Sequence, residues 1–133
     1  MQVIVGDGLS AWAVQENAPP LLPHLHEALR AAGWSTGKLL VVRFARVGVQ
    51  DEIGVTLGNK ATIILVGERP GLGTGDSMSV YLAYGPKPGQ DNAEKNCISN
   101  VRPRGIQPEE AAHHSVAILK KAFATGRGGV VAE

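Results

Sequence analysis

The chain has 133 residues, a length typical of one domain, and its 44% hydrophobic and 19% charged composition is that of a globular protein. The formal net charge of +1, with no basic stripe on any segment, gives no electrostatic footprint for nucleic-acid binding. No apolar run reaches the ~18 consecutive residues that a membrane span requires.

The first half of the chain alternates apolar runs with amphipathic segments. Ser10 is placed to cap a short helix, and Pro19-Pro20 predict a break before a second helical segment. The uninterrupted apolar run at 39–42 (LLVV) is typical of a parallel strand that is buried on both faces. In chain order we predict strand 2–5, helix 11–17, helix 21–32, strand 39–42, helix 49–57 and strand 61–66.

The second half predicts two more strands and one long helix. The predictions are strand 79–84, loop 85–92, strand 96–101, a helix from Pro108 to about residue 125, and a short edge strand at Val130-Val131. The β-α-β-α-β order of the first half favours an α/β fold, with a doubly wound, mostly parallel sheet and helices on both faces. We expect a single domain over residues 1–133.

Residues 6–11 (GDGLSA) match G-x-G-x-x-A between a strand and a helix, the pattern of dinucleotide-binding turns. Such glycines allow phosphates to approach the main chain at a helix N-terminus. The strand at 39–42, however, is followed by Arg43 instead of the acidic residue that binds a ribose hydroxyl. A turn that simply requires glycine is one interpretation, and a stand-alone NADP-type domain resting on Gly6, Gly8 and Arg43 is an alternative.

Polar side chains follow two further strands, at the edge where a doubly wound sheet binds its ligands. Arg43 and Arg46 could hold an anion or a partner's carboxylate, or could be solvated surface residues. Glu68 and Arg69 follow the strand at 61–66, and the glycines at 71, 73 and 75 leave space for a bulky ligand. A turn with an incidental ion pair is the alternative interpretation of this stretch.

Cys97, the single cysteine, cannot form an internal disulfide, which fits a reducing cytoplasm. It lies in the polar segment 95–100 (KNCISN), and the four histidines fall on predicted helices without other signs of a catalytic site. A buried cysteine acting as a small hydrophobe is the commoner case, while Asn96, Ser99 and Asn100 suggest hydrogen bonds to a ligand's amide groups. We therefore predict no catalytic residue and no metal site in this chain.

Three stretches together resemble one known family, the small subunit of ethanolamine ammonia-lyase. They are residues 3–14 (VIVGDGLSAWAV), 66–73 (VGERPGLG) and 96–105 (NCISNVRPRG). Residues 46–54 (RVGVQDEIG) and 108–112 (PEEAA) fit the same order, so the resemblance covers essentially the whole chain.

The resemblance implies an adenosylcobalamin enzyme that deaminates ethanolamine to acetaldehyde and ammonia by radical chemistry. A TIM-barrel large subunit would hold ethanolamine, while the small subunit contributes a Rossmann-like domain that covers the corrin. Carried over by motif, the cofactor contacts fall on Val47, Glu68 and Cys97, none of them catalytic. The chain lacks the Asp-x-His-x-x-Gly motif of domains that replace the cofactor's lower axial base with histidine, and this family keeps dimethylbenzimidazole on the metal.

The resemblance also implies a hetero-oligomer in the cytoplasm, or inside a bacterial microcompartment. The family's small subunit has a long segment before the first strand, whereas this chain begins at that strand. We therefore expect an excised domain or a short form that is inactive alone and could self-associate. A structural domain without a ligand is the third interpretation, beside the corrin-binding subunit and the NADP-type domain.

Overall fold

The computed structural model describes residues 1–68, 77–87 and 94–129, and within them it contains five strands and three helices. In chain order they are β1 Gln2–Gly6, α1 Ala11–Ala31, β2 Leu40–Val42, α2 Val49–Leu57, β3 Ala61–Gly67, β4 Met78–Tyr84, β5 Asn96–Val101 and α3 Pro108–Thr125. The predicted α/β class is confirmed. The predicted edge strand at Val130-Val131 lies outside the described residues. Among the described helices, none is long and apolar enough to cross a membrane.

The five strands form one sheet in the order β2-β1-β3-β4-β5. β2, β1 and β3 are parallel, whereas β4 is antiparallel to β3 and β5 is antiparallel to β4. The sheet is therefore mixed, where the sequence predicted a mostly parallel one. The connections at 68–77 and 85–95 explain the difference, since a parallel return requires a crossover of a dozen or more residues.

Helices cover the two faces of the sheet unequally. α1 and α3 pack side by side on the first face, where alternate β3 residues such as Ile63 and Leu65 enter the main core. α2 packs on the second face, over a smaller cluster that contains Ile4, Ile64 and Val66. Within the described residues, no helix covers the second face of β5, where Cys97 and Ser99 are exposed.

α1 runs continuously through Pro19, Pro20 and Pro23, so the predicted break between two helical segments is wrong. All three prolines are exposed. The carbonyls that lose a donor belong to exposed residues at 15, 16 and 19, where water can bind them. On the opposite side a buried stripe passes the prolines without interruption, and its packing holds the helix together. The stripe consists of Ala13, Val14, Asn17, Ala18, Leu21, Leu25 and Leu29.

β2 lies at the end of the sheet, and none of its residues is buried. This contradicts the prediction of a strand buried on both faces. Val41 is 72% exposed, although its neighbour across the ladder, Val5 of β1, is buried. The protein therefore exposes an apolar strand whose sequence pattern is that of an interior one.

Candidate functional site

The carboxyl ends of β1, β2 and β3 lie at one edge of the sheet because these three strands are parallel. Contacts between the loops that follow them hold this edge together. The amide of Leu9 donates to the carbonyl of Gly67 at 3.0 Å. The guanidinium of Arg46 donates through Nη1 to the carbonyl of Gly8 at 2.7 Å. The three strand ends are thus joined into one wall.

A cleft of about 270 Å³ opens at this edge. Its walls are the loops after β1 and β2, the end of β3 and the first half of β4. The lining residues are Gly8, Leu9, Arg46, Val47, Val66, Gly67, Glu68, Ser79 and Tyr81. The structure therefore brings together Val47 and Glu68, two of the three residues for which the family resemblance implies contact with a cofactor.

Cys97, the third of these residues, adjoins the cleft through Tyr81. The two residues face each other in the β4–β5 ladder, and their side chains are hydrogen-bonded. Cys97 is exposed, so the alternative of a buried small hydrophobe is wrong. Val47, Glu68 and Cys97 consequently border one continuous surface, and their role as cofactor contacts stays a prediction.

Glu68 is the fixed anionic group of the cleft. One carboxylate oxygen accepts a hydrogen bond from the hydroxyl of Ser77 and the other accepts one from Ser79. Both serines are buried, and the amide of Glu68 also donates to the carbonyl of Ser77 at 3.0 Å. Since each carboxylate oxygen has a second lone pair, Glu68 can still accept N–H donors from a ligand. Its sequence neighbour Arg69 and the glycines at 71, 73 and 75 lie outside the described residues.

Tyr81 and Cys97 are both uncharged at neutral pH. Desolvation, followed by the interaction with Cys97 and then with Glu68, raises the pKa of Tyr81 to about 12. Desolvation also raises the pKa of Cys97, against hydrogen bonds from Tyr81 and Ser79 that lower it, and the Glu68 carboxylate adds to the rise. The protonated thiol is a poor nucleophile, and no histidine lines the cleft. The arrangement fits a contact surface and not covalent catalysis.

The turn that matches a dinucleotide fingerprint uses its polar groups internally. Asp7 Oδ2 accepts from the amide of Phe44 and Oδ1 from the amide of Ala45, each at 2.8 Å. Ser10 caps α1 as predicted, with Oγ accepting from the amide of Ala13 at 3.2 Å. The carboxylate places negative charge where a pyrophosphate would have to bind. The turn therefore anchors the loop between β2 and α2, which weighs against the NADP-type alternative.

This anchor predicts an effect of pH on stability. The Phe44 amide, with those of Ala45 and Gly8, lowers the pKa of Asp7 below its ordinary 3.8. The Asp7 carboxylate thus makes its full contribution to the free energy of unfolding above about pH 4, and this contribution is lost as the pH falls through the lowered pKa. Asp7→Asn should cost under about 1 kcal/mol at pH 7, because the site is open to solvent. Urea unfolding should show that this difference shrinks as the pH falls below about 4, and a difference that is constant with pH would contradict the anchor.

The sequence suggested that the polar residues around Cys97 bind a ligand, but the structure does not place all of them on the exposed face. Asn96 is buried, and its side chain donates to the carbonyl of Gly129 at 2.8 Å and accepts from its amide at 2.9 Å. Asn100 has a left-handed φ of 63° at an irregularity in the β4–β5 register. Its Oδ1 accepts from Arg102 Nε at 2.9 Å. Asn96 is therefore structural, while Ser99 is exposed on the sheet.

Sequence reasoning missed Tyr81, Ser77 and Ser79, which complete the site. Their signal was the alternation in 77–84 (SMSVYLAY), in which polar side chains share one face of the strand. That face borders the cleft, and no described helix covers its continuation on β5. Among the described residues there is also no cluster of three side chains able to hold a metal ion. The charged side chains that line the cleft are Glu68 and Arg46.

Comparison with known proteins gives a consistent result. The family described as ethanolamine ammonia-lyase light chain (EutC) matches residues 1–132. The ethanolamine ammonia-lyase small subunit of Azotobacter vinelandii is 46% identical over 130 residues, and that of Ralstonia nicotianae is 43% identical over 129. The alignments cover 98% and 97% of this chain but 48% of each relative. The chain thus spans about half the length of the curated relatives it matches.

Proposed function

The chain belongs to the family of ethanolamine ammonia-lyase light chains, and we propose that it is the cobalamin-binding part of the enzyme's small subunit. The cofactor would be adenosylcobalamin, bound against the cleft, and the partner a TIM-barrel large subunit that holds ethanolamine. The cofactor supplies the radical that initiates deamination of ethanolamine to acetaldehyde and ammonia. The residues of this chain bind and orient it, so the chain alone would be inactive.

The observation that carries the proposal is the carboxylate of Glu68, fixed at the cleft by Ser77 and Ser79. A corrin carries primary amides around its rim, and their N–H groups are suitable donors to a carboxylate that is already oriented. Val47 offers an apolar contact to the macrocycle. Tyr81 and the Cys97 thiol offer an uncharged, weakly polar surface beside it, which suits the flat and largely apolar ring.

The dimensions of the site favour a ligand that is shared with a second chain. The cleft of about 270 Å³ continues onto the open face of β5 without a closing wall among the described residues. Pockets that enclose a drug-sized ligand have roughly 300–1,000 Å³, and a corrin is larger than such ligands. This chain can therefore cover only part of the cofactor, and the rest would lie against the large subunit.

The proposed function also includes a Rossmann-like arrangement of the first half of the chain. The parallel strands β2, β1 and β3 are linked by α1 and α2, which lie on opposite faces. This Rossmann-like half places ligand-binding loops at the carboxyl edge of the sheet, while β4 and β5 extend it. The enzyme would act in the cytoplasm, or inside a bacterial microcompartment in organisms that build one.

Replacing Glu68 by Ala should weaken cobalamin binding in the assembled enzyme by tenfold or more. The expectation follows from the loss of charge-assisted hydrogen bonds, each worth about 1.5–3 kcal/mol. The measurement mixes this chain with its cognate large subunit and hydroxocobalamin, and reads the corrin absorbance retained after desalting. An affinity equal to that of the wild type would remove Glu68 from the site. A wild-type mixture that retains no corrin would contradict the proposed function itself.

The matched control is Glu52→Ala, which removes an exposed carboxylate from α2 outside the cleft. Its cofactor affinity should stay within about twofold of the wild type. Glu68→Gln should fall between the two other variants, since the amide oxygen still accepts a hydrogen bond from one serine hydroxyl, while the NH2 group can only donate to the other and the charge is lost. Because Glu68→Ala removes the carboxylate that accepts from two buried hydroxyls, circular dichroism should confirm that each variant is folded at the assay temperature.

A further inference from the structure

The apolar edge strand β2 is exposed on the face of the sheet that α1 and α3 cover elsewhere. Val41 pairs with Val5, so both side chains point to this first face. Val5 is 8% exposed, but Val41 is 72% exposed and the preceding Leu39 is 44% exposed. Contiguous apolar surface of this kind marks an interaction site.

The helix layer on this face ends one strand too early. Strands are about 4.8 Å apart and packed helices 8–10 Å apart, so that one helix covers about two strands. α3 packs on β4 and β5, and α1 packs on β1, β3 and β4, whereas neither makes a comparable contact with β2. A groove of about 250 Å³ remains between α1 and the segment 36–39 that precedes β2, and its lining also includes His26 and Thr36. We use the name β2 groove for its apolar lining together with the exposed Val41 on the same face of the sheet; the apolar lining is Val3, Leu22, Leu25, Leu29 and Leu39.

The charges around the β2 groove indicate the chemistry of its occupant. Arg30 on α1 is paired with Glu27 at 3.9 Å, and Arg46 donates to the carbonyls of Gly8 and Ala45 at the cleft. Lys38 and Arg43 flank β2 on either side and are exposed. An apolar segment flanked by Asp or Glu would complement this surface.

The same charges disfavour a second copy of this chain as the occupant. If two β2 strands paired antiparallel, with Leu40 opposite Val41 of the other copy, Lys38 would lie opposite Arg43. Like charges directly opposite each other destabilise a strand pair. That register therefore disfavours pairing between two copies of this chain.

We propose that the β2 groove docks the large subunit, through an apolar segment that carries acidic residues at its ends. The proposal rests on the proposed function, from which the large subunit is taken as the partner. β2 leads directly into the loop that carries Phe44, which is 82% exposed, and Arg46 and Val47 of the cleft. The docking surface is therefore continuous with the cofactor site along the chain.

The test is association of this chain with the cognate large subunit, measured by sedimentation velocity with and without hydroxocobalamin. Val41→Glu adds a charge at a position open to solvent, so the isolated variant should fold normally. Its affinity for the large subunit should fall at least tenfold. The matched control is Leu57→Glu at the end of α2, where the leucine is 54% exposed but lies outside the groove. That variant should associate within about twofold of the wild type, and equal binding by Val41→Glu would overturn the proposal.

Hydrogen exchange on the unmodified chain gives a second readout. The amides of residues 40–42 should exchange at least tenfold more slowly in the complex than in the isolated chain, and unchanged rates would overturn the proposal. Protection that rises with the concentration of the isolated chain would instead identify a second copy as occupant. Corrin retention in the same samples separates the two proposals: assembly without corrin contradicts only the cofactor site, while corrin retained with unprotected β2 contradicts only the docking site.

Discussion

Replacing Lys95 by Met is expected to lower the free energy of unfolding by about 3–5 kcal/mol, because the Asp51 carboxylate then stays buried without its cation. Lys95 Nζ lies 2.8 Å from Asp51 Oδ2, and the two side chains are 0% and 4% exposed. Asp51 lies in the first turn of α2, whose helix dipole offsets only part of the charge. For a domain of this size the midpoint of thermal unfolding should fall by roughly 10–20 °C, as circular dichroism would measure.

Two companion variants separate the ion pair from other effects of Lys95. Asp51→Leu combined with Lys95→Met should regain most of the loss, since apolar replacement of a whole buried pair is often neutral or stabilising. Lys87→Met removes the cation of an exposed pair with Glu94, in which Nζ and Oε2 are 3.8 Å apart. It should cost under about 1 kcal/mol. A Lys95→Met protein as stable as Lys87→Met would show that the buried pair does not support the fold.

The sequence was sufficient to predict where the strands lie along the chain, but not which strands pair with each other in the sheet. Apolar runs located β1 to β4, because burial of a strand leaves a local pattern. Position in the sheet leaves no such pattern, so the run at 39–42 gave no sign that β2 lies at an edge. The prolines of α1 show the same limit, since local penalties predicted a break that the packing of a long buried stripe overrides. The connections before and after β4 are too short for a parallel crossover. Their length therefore indicated antiparallel pairing, which we did not predict from the sequence.

The candidate site could be predicted in part for a similar reason. The rule that loops at the carboxyl ends of parallel strands meet places Val47 and Glu68 at one edge. Cys97 reaches the same surface through antiparallel pairing with Tyr81, which depends on a register that the sequence does not reveal. The Lys95–Asp51 pair joins residues 44 positions apart and had no signal in the sequence. Resemblance to a family supplied Cys97, where physical reasoning from the chain alone did not.

Gly67 is the position where the wall of the cleft tolerates no side chain. A Cβ atom there would lie 2.7 Å from the carbonyl carbon of Ser10 and 2.9 Å from the carbonyl oxygen of Asp7. Both obstacles are main-chain atoms of the loop after β1, so neither can move as a flexible side chain could. The carbonyl of Gly67 also accepts the amide of Leu9, which holds the two loops at this distance.

Gly67→Ala should therefore destabilise the protein by about 3 kcal/mol, at the upper end of the usual cost of overpacking. The loop after β1 must shift to admit the methyl group, and Glu68, the next residue, must move with it. Urea unfolding would measure the loss, and corrin retention with the large subunit should fall as well. The control is Gly48→Ala, where nothing lies within 4 Å of the added Cβ and φ is −59°. Because Gly48 is the N-cap of α2, where Ala is less favourable than Gly, while the loss of chain entropy in the unfolded state favours Ala, the change should stay within about 1 kcal/mol, and equal stability of the two variants would contradict the close approach at Gly67.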